Sequence, residues 1–496
     1  MKGDPANRTV VLVYPRHTHG WEAQPWVDMP LGLLCVATPV ERAGHPVTIL
    51  DQRVEPRWRE RLAEELARTP LCVGVSTTTG PQLRYALEVS RLVKEAGDTP
   101  VVWGGVHASL LPKQVLQEPC VDFVVQGEGE ATFRELVEAL ARARPASEVP
   151  GLWYRGEAGP VSTGLREFVD LDREPPLAYH LLPLEKYRRT VFGVERLSLF
   201  TSRGCPHGCT FCFNQEFDRR RWRAMSAEVA VERILDAARR CSVRGLVLYD
   251  SNFFADLGRG RRILEGLVRS GRGVALTRLH TRADTLLRMG DADFDLLTRA
   301  GCKCLSIGIE SGSERIRELL GKKIDLPAVL EKNRALARFP LTPLYFFMMG
   351  FPTETPEDLG ETLSAAEALR RGNPNVDLSF NIYTPFPGTE LFRTAVERGL
   401  EVPSRTQEWA GFNYRNLAQG APWLSPGMRR LVEVLDFACM FLGKKHTRPY
   451  KETKSPAVLL GKLYAPLARW RARRLCAALP WEVRLARLLR LYAKQE

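Results

Sequence analysis

Three cysteines, Cys205, Cys209 and Cys212, fall within the stretch GCPHGCTFCFN (204–214). Thiolates that close together bind a soft metal. A structural zinc takes four ligands in tight pairs, and only Cys209 and Cys212 have zinc-like spacing. Cys302 and Cys304 would make a second pair, but they sit astride a strand start and read more simply as core residues. Three cysteines on one loop hold three irons of a four-iron cluster and leave the fourth open. An open metal position marks a reactive site. Pro206 stiffens such a loop, and Gly208 lets its backbone approach the cluster closely.

The elements that must position this loop form a β/α series. RLSLFTS (196–202), GLVLYDS (245–251), VALTRLH (274–280), CLSIGIE (304–310), LYFFMMG (344–350) and LSFNIYT (378–384) read as strands with helical patterns between them. Six such units predict a partial (β/α)6 barrel over 196–404, with its chemistry at the carboxyl ends of the strands. Upstream, TVVLVYP (9–15), HPVTILD (45–51), CVGVST (72–77), PVVWGG (100–105) and VDFVVQG (121–127) alternate with amphipathic segments. They predict a doubly wound α/β, Rossmann-like domain over 1–140. Residues 141–195 read as a linker, with a hairpin at 151–164 and a Pro-punctuated strap; 405–496 reads as helical and basic.

Further motifs stand at the ends of the barrel strands. SIGIESGSERI (306–316) carries Glu310, Ser311 and Ser313; MMGFPTETPEDL (348–359) carries Gly350 and Pro352; HTRAD (280–284) carries Arg282; TPFPGTEL (384–391) follows the sixth strand. Alone, each is a capped helix, a tight turn or a surface ion pair. Together with CxxxCxxC after the first strand, and Phe211 before the last cysteine, the barrel resembles the radical S-adenosylmethionine superfamily. The resemblance implies a 4Fe–4S cluster on Cys205, Cys209 and Cys212, with S-adenosylmethionine on the open iron and Phe211 beside it. It also implies that Arg282 meets the cofactor carboxylate, Glu310, Ser311 and Ser313 its ribose and methionine parts, and the Gly350–Pro352 turn its adenosine.

A doubly wound domain before such a barrel resembles the cobalamin-binding subfamily. STTTG (76–80) and GGVH (104–107) approximate its nucleotide-tail turns, placing Ser76, Thr77, Thr78, Gly104, Gly105 and His107 at the cofactor. DMPLGLL (28–34) and QGEGEATF (126–133) extend the likeness. The DxHxxG motif is absent from YPRHTHGWEAQPW, so histidine ligation of cobalt is not expected; His17 and His19 read as solvated or structural. The competing reading is a Rossmann-like module that binds no corrin.

The 496 residues, 44% hydrophobic and 26% charged, suit a soluble chain of two or three domains. Eleven cysteines scattered through a long chain do not read as a disulfide framework. No segment approaches a membrane span, and the start passes directly into a strand-like run without a secretory signal. A cytoplasmic location follows as the expectation. Of the net charge of +13, residues 443–496 contribute 14 basic against 3 acidic side chains, so the rest is nearly balanced and nucleic acid is not an expected partner. A basic amphipathic pattern, with Arg484, Arg487 and Lys494 opposite Leu485, Leu488, Leu489 and Tyr492, lets the C-terminal helices lie on an anionic membrane or pack on the barrel.

The expected activity is cobalamin-dependent methylation of an unactivated carbon of a lipid, natural-product or tetrapyrrole-like small molecule. A flavodoxin or ferredoxin would donate electrons. Oxidative cyclisation or rearrangement is the alternative enzyme reading, and an iron–sulfur redox carrier or sensor the non-catalytic one. Tyr249, Asp250, Asn252, Tyr345, Asn381 and Tyr383 fall near strand ends where they would face the substrate or fill the core.

Overall fold

In a computed structural model, which describes residues 9–17, 27–412, 420–443 and 456–488, the chain divides into two compact units. The first takes the described residues up to Arg188, with Glu216–Arg219 and 402–412. Its strands are β1 (Val10–Tyr14), β2 (Val47–Asp51), β3 (Cys72–Ser76), β4 (Val101–Gly104), β5 (Phe123–Val125), β6 (Leu152–Gly156) and β7 (Gly159–Ser162). They form one sheet in the order β2-β1-β3-β4-β5-β6-β7. The first five are parallel; β6 and β7 close the edge as an antiparallel hairpin. The hairpin expected at 151–164 thus forms the edge of this unit's sheet.

The parallel strands are runs of Val and Ile because helices cover them. Leu31–Arg42 packs with Glu130–Ala141, and Trp58–Ala67 with Gln82–Ala96. At Gly74 an added Cβ would come within 2.6 Å of Leu12, so glycine lets the sheet and Phe133 close together. The strand order reverses between β1 and β3, and ligands bind in the crevice at the carboxyl ends of such strands.

The second unit is a curled sheet in the order β16-β15-β14-β13-β12-β9-β8. Here β8 is Arg189–Val191, β9 Val194–Leu199, β12 Gly245–Leu248, β13 Ala275–Arg282, β14 Cys304–Glu310, β15 Thr342–Met349 and β16 Asp377–Ile382. Strand β8 is antiparallel to β9, and the other six strands are parallel, as a partial (β/α)6 barrel requires. A short pair, β10 (Ser202–Arg203) and β11 (Arg223–Ala224), brackets the cysteine loop. Cys302 and Cys304 are fully buried core residues.

Beyond the barrel, helix Pro426–Cys439 packs on β16 and on helix Pro456–Arg474. Val483 of helix Trp481–Leu488 packs with Phe437. The buried Arg471–Glu482 pair ties the last two described helices together. The apolar side chains of Leu488, Leu489 and Tyr492, and the basic ones of Arg487 and Lys494, lie outside the described side chains, as does His19.

Candidate active site

The cysteine loop leaves the carboxyl end of β9 and is anchored by main-chain contacts. The Thr210 N–H donates to Leu320 O, and its hydroxyl to Leu319 O at 2.8 Å. Thr210 O in turn accepts from Leu391 N at 3.0 Å. Cys209 is buried, while Cys205 and Cys212 are half-buried. Burial pushes the Cys212 thiol up to about 12 and raises that of Cys205; Arg282 and Lys322 pull the other way on Cys205. A metal removes the resulting protons when it binds. Among the described residues, no group of three or more His, Cys, Asp and Glu side chains is arranged to hold a single metal ion. A four-iron cluster asks for something else, since each cysteine takes its own iron.

Two cations from later segments of the barrel act on this loop. At the end of β13, Arg282 donates from Nη1 to Cys209 Sγ at 3.3 Å and from Nε to Asp284 at 3.1 Å. Lys322, which no sequence motif marked, is buried against Glu310 at 2.6 Å and also donates to Gly308 O. Glu310 sits at a bulge of β14 with φ +70°, a conformation that aims its carboxylate back at Lys322. The carboxylate is thereby held by a lysine.

Ser311 and Ser313 follow Glu310, but their hydroxyls face the protein. Ser311 Oγ bonds Thr362 Oγ1 at 2.9 Å, and Ser313 Oγ donates to Asp358 at 2.6 Å. At Gly350, φ is +85°; its N–H donates to Glu354 Oε2 at 2.6 Å, and its carbonyl accepts from Trp423 Nε1 at 2.9 Å. Burial raises the Glu354 carboxyl to about 8 against the two backbone N–H groups that favour its charge. Pro352 is buried behind this turn and Phe211 is half-buried.

Of the six side chains near the strand ends, Tyr249 is 41% exposed and Asn381 half-buried. Tyr345 points away from the concave face and donates to Asn333 at 3.1 Å. Asp250 is spent on Thr201 and Ser202, and Tyr383 is enclosed by Phe351 and Trp423. Asn252 is buried, with no partner for either side-chain polar atom among the described residues.

In the first unit, the turn after β3 divides its hydroxyls. Thr77 is fully buried; its Oγ1 donates to Gly104 O at 2.8 Å and accepts from Ala108 N at 3.3 Å, stitching the β3 and β4 turns together. The side chains of Ser76 and Thr78 are half-buried with no protein partner among the described residues. Gly105 has φ +91°, and a Cβ there would stand 2.5 Å from Thr77 O, so only glycine fits. At Gly104 a Cβ would meet only Val125, in ordinary contact at 3.9 Å.

His107 is buried, bonds Thr79 Oγ1 through Nδ1 at 3.0 Å and packs edge-on against Trp409. Burial drives its pKa down to about 3. His17 accepts or donates a hydrogen bond with the Tyr14 hydroxyl at 3.1 Å, and burial and Arg53 hold it near 4. The charges of this unit's crevice are gathered in a closed network. Arg53 pairs with Asp51 and stacks on Tyr14, while Tyr187 donates to Asp51 at 3.0 Å.

Residues 199–366 match the model of the radical SAM superfamily, and residues 29–137 that of the B12 binding domain. An uncharacterized methyltransferase of Pyrococcus horikoshii is 32% identical over 376 residues, 75% of this chain and 79% of that one. The chain belongs to the cobalamin-dependent radical S-adenosylmethionine family. It is accordingly an enzyme that uses a 4Fe–4S cluster, S-adenosylmethionine and cobalamin.

The anaerobic magnesium-protoporphyrin IX monomethyl ester cyclase of Synechocystis is 27% identical, over 82% of this chain and 81% of its own. The fold matches that of the radical S-adenosylmethionine methyltransferase TsrM from Kitasatospora setae, solved with cobalamin and a 4Fe–4S cluster bound. The TM-score is 0.68 at 18% identity, covering 97% of this chain and 100% of TsrM. The residues present fit these groups: three thiols on one loop beside two cations, and two hydroxyls without a partner among the described residues beside a pair of glycines.

Proposed function

We propose that the enzyme replaces a hydrogen on an unactivated carbon of a small molecule with a methyl group. One observation carries this reading: a single chain joins a B12 binding domain to a barrel whose cysteine loop lies against Arg282 and near Lys322. When bound, the cofactors supply a 5′-deoxyadenosyl radical, which takes a hydrogen atom from carbon, and the methyl group that replaces it. Cys205, Cys209 and Cys212 hold three irons. Arg282 and Lys322 offset the negative charge of the thiolates, and the N–H···S bond to Cys209 stabilises the reduced state.

In this reading the Gly350–Pro352 turn, held by Glu354, offers backbone groups to the adenosine, and Phe211 lies beside the cofactor. Glu310, Ser311 and Ser313 shape the wall, their side chains fixed by Lys322, Thr362 and Asp358. Ser76 and Thr78 hydrogen-bond the nucleotide tail of cobalamin, while Gly104 and Gly105 admit it; Thr77 and His107 hold that turn in shape. The barrel orients the substrate and excludes water from a radical that attacks whatever it reaches.

A flavodoxin or ferredoxin supplies electrons to the cluster. Peripheral contact with anionic lipid is supported by Trp470, Leu479, Trp481 and Leu485, which are exposed among arginines near the C terminus. No described helix is long and apolar enough to cross a membrane. Co-sedimentation with phosphatidylglycerol vesicles tests the contact, and no binding refutes it.

The test of the central reading is anaerobic reconstitution with iron, sulfide and hydroxocobalamin, followed by S-adenosylmethionine and a reductant. Formation of both 5′-deoxyadenosine and S-adenosylhomocysteine, with a product heavier by one methylene unit, is expected. 5′-Deoxyadenosine accompanied by a product that has lost hydrogens or gained oxygen selects cyclisation, which the Synechocystis relative makes the second reading. No 5′-deoxyadenosine at all leaves a redox carrier.

A further inference from the structure

On the concave face of the barrel sheet, Arg278 lies two rows below Arg282, the cation that donates to Cys209. Residues aligned across parallel strands share a face, so register places Ser198, Val247, Arg278 and Cys304 in one row. The next row toward the mouth carries His280, Ser306 and Leu344. Arg282 follows, against Cys209.

Arg278 is half-buried. Its Nε donates to Ser306 Oγ at 2.7 Å, and its guanidinium carbon lies 5.6 Å from the Phe346 ring, so the side chain climbs along the face toward the mouth. Among the described residues no carboxylate forms an ion pair with it. Two acids of the barrel mouth are paired with other cations: Glu310 with Lys322, and Asp284 with Arg282.

His280 stands beside this guanidinium, with its ring 6.3 Å from that of Tyr249. Its Nε2 is buried and has no partner among the described residues. Burial, followed by the charges of Arg278 and Arg196, pushes its pKa down to about 3, so the imidazole is neutral. A buried, unpartnered ring nitrogen is unfavourable to leave bare, and the half-buried guanidinium beside it has Nη groups with no partner among the described residues. An oxyanion satisfies both, and Arg is the side chain whose planar fork suits carboxylate and phosphate.

We propose that Arg278 and His280 form an oxyanion site that holds a carboxylate or phosphate-type group of the substrate on the concave face, below Arg282. This rests on reading the barrel as the unit that binds and processes the substrate. Tyr249 and Phe346 wall the site, which orients the rest of the molecule toward the mouth. The substrate is then an anionic small molecule, anchored by its charge at one end and open to hydrogen abstraction at the other.

The test uses the full-length reconstituted holoenzyme, titrated calorimetrically with inorganic phosphate and, separately, with acetate. Saturable binding of phosphate assigns a phosphate-type group, and of acetate a carboxylate. Arg278→Gln should weaken that binding about tenfold or more, with partial recovery in Arg278→Lys. His280→Ala, which removes the second donor and leaves the arginine in place, should weaken it less. Retained cluster absorbance and circular dichroism show that each variant is folded.

Equal binding by wild type and both Arg278→Gln and His280→Ala overturns the site, as does failure of both anions to bind. A parallel fall in affinity for S-adenosylmethionine in Arg278→Gln assigns the guanidinium to the cofactor carboxylate, and overturns it too. Absence of 5′-deoxyadenosine from the wild-type holoenzyme counts instead against the proposed reaction, and the anion titration distinguishes the two failures.

Discussion

The two sheets of this protein both present loops at the carboxyl ends of parallel strands, but they equip those loops differently. The barrel brings charge to its mouth: Arg282 on Cys209, and Lys322 buried with Glu310. The N-terminal sheet withdraws its charge into the Asp51–Arg53–Tyr14–Tyr187 network and leaves hydroxyls and glycine at the turns after β3 and β4. In the reading proposed above, the difference follows from the ligands. A thiolate-bound cluster and a zwitterionic sulfonium need fixed charges, whereas a bulky corrin needs room and a few neutral hydrogen bonds.

Breaking the barrel side alone should have the largest effect. Replacing Cys205, Cys209 or Cys212 by Ala is expected to abolish the cluster absorbance and 5′-deoxyadenosine formation, while the bound corrin spectrum persists. Loss of corrin in the same variants would show that the two regions are not independent in cofactor loading.

The reciprocal break is Gly105→Val. With φ at +91° and Thr77 O where a Cβ would stand, the β3–β4 turn must distort, at roughly 1–3 kcal/mol. Corrin retention after gel filtration should fall severalfold or more, with iron content unchanged.

Arg282→Ala sharpens the role of charge. Removing the donor to Cys209 Sγ should shift the cluster potential negative in a redox titration followed by electron paramagnetic resonance, and slow 5′-deoxyadenosine formation by about tenfold. An unchanged potential would reduce Arg282 to a partner of Asp284.

The smallest expected effect is that of pH on Glu354. Its carboxyl is raised by burial from 4.5 to about 8 in the folded state, so the folded chain holds this proton more tightly than the unfolded one. Its contribution to stability is therefore complete below the ordinary carboxylate range and is lost as pH rises through about 8. Thermal unfolding of Glu354→Gln should lose that component of the pH dependence. A variant with the wild-type profile would show that the carboxyl is ionised across this range.

Much of the architecture was legible in the chain because it is written in local patterns. All eleven expected parallel strands correspond to observed ones, since buried Val- and Ile-rich runs bounded by Gly and Pro have few alternatives. The cysteine loop was legible for the same reason: its three thiols lie within eight consecutive residues after a strand.

The motif residues were less legible in their roles. Ser311 and Ser313 stand in the expected segment, but their hydroxyls hold Thr362 and Asp358 of the helix Pro356–Gly372. Thr77 lies between Ser76 and Thr78, whose hydroxyls have no partner among the described residues, yet its own hydroxyl is used up inside the turn. Tyr345 falls on the convex side by strand alternation, where it meets Asn333.

The sequence by itself determined which chemistry the chain carries, because cluster ligands on one loop and glycines at strand ends act over a few residues. Only the tertiary structure decided which side chains stand together around those loops. Lys322 reaches Glu310, Arg282 reaches Cys209, and Arg278 has no carboxylate partner among the described residues, because sheet register and strand curvature set those distances. Such pairings join residues far apart in the chain, and no local pattern of residue types encodes them.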